Sequence, residues 1–133
     1  MDLEQAIHQR WAATAALDGL LPAAKLKTGL ARGDSLPYAT LARTGSRTAL
    51  RTNSDDAVEE VALRLTVWHG DYDAGSAIAG QIAAAFDRSD FALAGGGRVI
   101  QMRRTSVAAT EHDDGAWQFT IEFLVDIHVP PES

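Results

Sequence analysis

Two groups of side chains in this 133-residue chain combine residue types able to hold a metal: His69 with Asp71 and Asp73, and His112 with Asp113 and Asp114. Imidazole and carboxylate are both ligands, but neither group follows a zinc or calcium spacing. Asp71 or Asp73 has a simpler task as the cap of a following helix. Asp114-Gly115 is a pair expected in a hairpin turn. Gly95-Gly96-Gly97 lacks the spacing of a phosphate-binding loop and of a dinucleotide fingerprint, and reads as a loop that follows a helix and precedes a strand. No serine sits in a G-x-S-x-G turn. Asp55-Asp56 and Glu59-Glu60 are sequence neighbours, so their carboxylates point apart and read as a solvated strand entrance. Cysteine is absent, which excludes a thiolate nucleophile, a thiolate metal site and a disulfide framework. On this reading the chain carries no catalytic residue, no cofactor and no metal.

The arginines form the remaining pattern. Arg43, Arg47 and Arg51 recur every four residues, and Arg98, Arg103 and Arg104 mark a later segment. Such a surface can meet an acidic partner subunit or nucleic acid; the plainer reading is a solvated hairpin and a polar sheet face. The formal net charge of −6 weighs against a grip on phosphate, which depends on lysine and arginine. Trp11 and Trp117 read as core. Trp68 lies on the opposite face from Val67 and can anchor an interface instead. Subunit contacts are therefore assigned to Arg43, Arg47, Arg51, Trp68, Arg103 and Arg104.

Periodicity gives the elements that would position these groups. Leu3, Ile7, Trp11 and Ala15 draw one helical stripe, capped by Asp2 and stopped by Asp18-Gly19 with Gly19 left-handed. Residues 19–36 form a connecting stretch that packs through Leu20, Leu21, Leu26 and Leu30. Residues 37–42 read as a short strand, and 43–54 as an exposed hairpin or arm of uncertain order. Val61, Leu63, Leu65 and Val67 alternate along a strand over 58–68. A second helix carries Ile78, Ile82, Ala85 and Phe86 and ends at Arg88-Ser89-Asp90. Strands follow over 98–107 and, at a length unusual for a strand, over 117–129.

The fold class expected is α+β: a mainly antiparallel sheet with an N-terminal helix and a second helix packed on one face. The length suits a single domain over residues 1–133. No window is apolar enough to span a bilayer, and the N-terminus is not a signal peptide, so a soluble, untargeted chain is expected.

Five stretches carry a resemblance: LEQAIHQRW, LPYATL, VALRLTVWHG, DYDAGSAIAGQIAAAF and EHDDGAWQFTIEFLV. In this order they resemble the small phage and prophage tail-completion proteins, a family of tail terminators and head–tail joining proteins. The most specific part is a strand ending in Val67-Trp68, a short polar link and an alanine-rich helix ending near Phe86. The resemblance implies a non-enzymatic structural subunit that caps the tail tube and joins it to the head side as a hexameric ring. Its partners would be further copies of itself, the tail tube protein and a head-side connector. DNA would be passing cargo, which an acidic lumen would let slide. The location implied is the virion tail, reached from the host cytoplasm during assembly. Strand 117–129 and the arm 43–54 can pair with a neighbour's sheet edge, and head-to-tail contacts of that kind close into rings.

Two other classes compete. A small-molecule-binding or enzymatic α+β domain would hold a pocket with convergent polar groups between helix 74–87 and the sheet. A nucleic-acid-binding accessory protein would use the arginine arm and lose salt-dependent binding when Arg43, Arg47 and Arg51 are replaced.

Overall fold

The computed structural model describes residues 3–29 and 35–131. Helix α1 (Leu3–Ala13) turns Leu3, Ile7 and Trp11 fully into the core. Ala15, expected on the same stripe, is exposed. The helix is interrupted at Thr14, whose hydroxyl donates to the Arg10 carbonyl at 2.7 Å, and a short second helix α2 (Ala15–Asp18) brings Leu17 inward instead. Gly19 closes α2 in the right-handed conformation, φ −68°, and not the left-handed one, because its amide still bonds helically to the Ala15 carbonyl. Asp2 and Leu30 lie outside the described residues. Trp11 Nε1 donates to the Leu21 carbonyl at 2.8 Å and fixes the chain leaving α2. Leu21 and Leu26 are buried there, whereas Leu20, expected to pack, is 47% exposed.

After a 3-10 turn, six strands and one helix follow: β1 (Leu26–Thr28), β2 (Tyr38–Arg51), β3 (Ala57–His69), α3 (Tyr72–Phe86), β4 (Ser89–Ala92), β5 (Arg98–Glu111) and β6 (Trp117–Val129). They form one sheet in the order β1-β2-β3-β6-β5-β4, with β1–β2 parallel and every other pair antiparallel. The architecture is α+β and mostly sheet. β6 has the length its alternation predicts. β2 runs on without a break through residues 43–51, and β5 extends past Val107 to Glu111. β1 and β4 fall where the pattern predicts only connecting chain and a helix end. Consequently Gly95-Gly96-Gly97 does not follow a helix directly. It lies in the β4–β5 turn, where Gly95 and Gly96 take φ of 87° and 99°, a region costly for any residue with a Cβ.

The core sits between the helices and one face of the sheet. Val61, Leu63, Leu65 and Val67 of β3 meet Phe119, Ile121, Phe123, Val125 and Ile127 of β6 beneath Ile78, Ile82 and Phe86 of α3. Gly75 lets α3 approach β6: a Cβ there would lie 2.3 Å from Phe119 Cε2. Asp71 caps α3, its Oδ2 accepting from the Ala74 amide at 2.9 Å, while His69 Nδ1 accepts from the Asp71 amide at 3.0 Å. These two candidate ligands are thus engaged in starting the helix. Among the described residues, the opposite face of the sheet carries no helix. Its central rows are short or cross-paired, such as Thr40-Thr66-Thr120 and Arg64 with Glu122 at 3.0 Å.

Candidate functional site

An end strand satisfies its neighbour only along its own length. β1 pairs with residues 39–41 of β2, and β4 pairs with β5 between Arg98 and Met102. Arg88 and Asp87 extend that second junction slightly, the Arg88 amide reaching the Met102 carbonyl at 2.6 Å and Asp87 Oδ1 accepting from the Arg104 amide at 2.9 Å. Beyond these points, residues 43–51 of β2 and 105–111 of β5 have no strand partner on their outer side among the described residues. Both open stretches are exposed, and both are bulged, at Arg43/Gly45 and Thr48/Leu50 in β2 and at Arg104/Ser106 in β5. Open edges present unpaired amides and carbonyls to another chain, and bulges limit how freely they do so.

The arginines assigned from sequence fall along these edges, but most are already held. Arg43 makes two bonds to Glu4, Nε to Oε2 at 2.6 Å and Nη2 to Oε1 at 2.9 Å. That pairing, a hydrogen bond more than a distant charge effect, lowers the Glu4 carboxyl against the opposing push of burial, and raises Arg43. Arg47 Nε donates to Glu60 Oε1 at 3.0 Å, and Arg103 Nη2 approaches Glu60 Oε2 at 3.8 Å, so one carboxylate joins β2, β3 and β5. Arg51 Nη1 stands 4.0 Å from Asp55 Oδ1. Arg104 differs: among the described residues no carboxylate lies within ion-pair distance of its guanidinium. Trp68 is half-buried on the helix-free face, stacked on Tyr38 at 6.1 Å and tilted against His112 at 5.3 Å. It is one member of an aromatic group on that face. The structure does not bring the six residues into one site; they spread along two edges and one face.

A groove lies between α3 and the open half of β5, where the small-molecule reading places a pocket. Ser76, Ala79, Gly80 and Ala83 of α3 face Arg104, Val107 and Ala109 across about 330 Å³. Val107 is 49% exposed there although its row continues into buried Ile121 and Leu65. The small residues of α3 were the available signal. Among the described residues Arg104 is the only charged group lining the groove, which is far from the converging polar set a small ligand needs. The turns carry acidic charge, as their sequence predicts. Glu111, Asp113 and Asp114 crowd the β5–β6 turn, where Asp114 Oδ1 accepts from the Ala116 amide at 3.0 Å. The 52–56 turn carries Asp55, whose side chain is 80% exposed, and Asp56, bound to His128 Nε2 at 3.0 Å.

Comparison with known proteins gives this arrangement a context. No curated protein matches the chain. Among solved structures, a chain of the "Virion of native gene transfer agent (GTA) particle" superposes with a TM-score of 0.71 at 16% identity, covering 96% of this chain and 95% of that one. At that identity the likeness concerns the fold. A family model described as "Tail completion protein gp17" matches residues 5–127, a span that includes both open edges. With almost the whole chain matched, this protein belongs to the tail completion protein gp17 family.

Proposed function

We propose that the chain is a single-domain, non-enzymatic subunit of a phage or phage-like tail, assembling as a hexameric ring that caps the tail tube and joins it to the head side. The observation that carries this reading is the sheet with an open edge on each side, β2 over 43–51 and β5 over 105–111. One patch meeting a different patch on the next copy is the head-to-tail contact that closes into a ring. Family membership supports the tail role. Further copies, the tail tube protein and a head-side connector are the partners, and DNA passes without being held. Assembly takes place in the host cytoplasm and the product resides in the virion tail. Arg43, Arg47, Arg51, Arg103 and Arg104 line the contacts between copies, and Trp68 faces a neighbour across the helix-free surface. The nucleic-acid reading loses ground because Arg43 and Arg47, and more loosely Arg51, are paired within the chain.

Mass in solution tests this proposal, measured by light scattering over a concentration series, with and without isolated tail tubes, and paired with negative-stain imaging. Rings, or rings formed on tube ends, are the expected outcome. A chain that stays monomeric at every concentration and also ignores tube ends would sink it.

A further inference from the structure

We infer that the open half of β2 in one copy pairs, antiparallel, with the open half of β5 in the next, in a register bounded by β1 and β4. This contact rests on the ring-subunit reading and specifies its partner surface as a second copy of the chain.

Three observations converge on it. The first is direction. β2, β3, β6 and β5 are joined by three antiparallel junctions, so β2 and β5 of one copy run in opposite senses. A neighbour related by rotation about an axis near the strand direction keeps its own strand sense. Its β2 then arrives antiparallel to this copy's β5, and the sheet continues from copy to copy.

The second is charge. In the antiparallel arrangement the acidic turn after β5, with Glu111, Asp113 and Asp114, runs toward the neighbour's Arg43 and toward its β1, which carries Lys27. At the other end the neighbour's 52–56 turn, with exposed Asp55, runs toward Arg104 and Arg88 beside β4. Opposite charges meet at the acidic turn; at the other end the register also sets Arg51 opposite Arg104, with Asp55 4.0 Å from Arg51. A parallel arrangement would set Arg43 against Arg103 and Arg104, and Asp55 against the acidic turn. Like charges facing one another suppress that alternative.

The third is fit. Placing the neighbour's Arg43 opposite Glu111 sets its Ser46 opposite Ala109. Both of those belong to the helix-side face, since Ser46 shares a row with Val61 and Ala109 with Phe119. Sliding further in one direction drives the acidic turn into the neighbour's β1, and in the other drives its 52–56 turn into β4. The end strands therefore act as stops. The two open halves also lie at opposite ends of their strands, so each joint is staggered along the strand direction. A sheet that continues through every copy closes only when its strands tilt, and a fixed stagger at each joint supplies that tilt.

The chain contains no cysteine, which allows a clean cross-linking test on the full-length protein. Ser46→Cys and Ala109→Cys, made in separate chains, are mixed, oxidised and run on a denaturing gel without reductant. The expected product is a covalent dimer in the mixture in excess of anything either variant forms alone. Adding Glu111→Lys lowers its yield by roughly an order of magnitude, because it faces Arg43 with a like charge. Self-linked dimers of one variant in place of the mixed product would overturn the contact. So would oligomers without mixed cross-links, an outcome that leaves the ring itself standing. Mixed cross-links within open filaments would keep the contact and remove the ring.

Discussion

Arg43 and Glu4 show what individual charges do in this protein. Their two bonds tie α1 to the point where β2 leaves the cover of β1. A carboxyl held lower in the folded state stabilises the fold above its unfolded value, about 4.3, and loses that contribution as pH falls through the lowered one. Partial exposure screens the pair, so Glu4→Gln should reduce stability by about 1 kcal/mol or less at neutral pH. Thermal unfolding over a pH series checks the sign: the gap between Glu4→Gln and the parent should close as the pH drops below the ordinary glutamate range. Arg104 is the contrasting case, since its guanidinium has no internal ion pair among the described residues. Arg104→Ala should leave unfolding of the isolated chain within about 0.5 kcal/mol of the parent while weakening assembly in light scattering.

Helix α3 sets how the elements pack. Asp71→Ala removes the bond to the Ala74 amide and should cost about 1 kcal/mol, the usual worth of an N-cap, measured by denaturant unfolding. Its two glycines should behave oppositely. Gly75→Ala forces a Cβ to within 2.3 Å of Phe119 Cε2, and moving a core ring that β6 holds from below costs about 1–3 kcal/mol. Gly80 has nothing within 4 Å of an added Cβ, so Gly80→Ala should gain about 0.5–1 kcal/mol through backbone entropy alone. Equal effects at the two positions would mean that α3 does not approach β6 as closely as described. The same pair explains the groove: small residues on one side of α3 bring the helix onto β6, and those on the other side leave space above the open half of β5.

For the molecule as a whole, an acidic chain with paired arginines is suited to standing beside DNA without adhering to it. Replacing Arg47, Arg51 and Arg103 together with alanine should leave duplex retention unchanged in fluorescence anisotropy at about 0.15 M salt, where only clustered free cations hold phosphate. A marked, salt-sensitive loss of binding would return the arginines to a nucleic-acid role. Assembly should respond differently, because the open halves of β2 and β5 lie on opposite sides of one sheet and offer unpaired amides and carbonyls to another chain.

Sequence alone was sufficient for the core strands and both main helices. Alternation at Val61–Val67 and across Trp117–Val129, and the helical stripes of α1 and α3, are local patterns that record which side faces the core. The fold class followed from their order. β1 and β4 were not legible, because strands of three and four residues have too little pattern and exist only by pairing with a neighbour already in place. The break at Thr14 was hidden for a related reason: Ala15 fits the stripe, and the preference for Leu17 is decided by what α2 packs against. The arginines were visible as a spacing of four, but the acids that hold Arg43 and Arg47 come from α1 and β3 and are distant in sequence. Only the tertiary structure could decide which cations are paired and which strand edges remain open, since an edge is defined by where its neighbour ends.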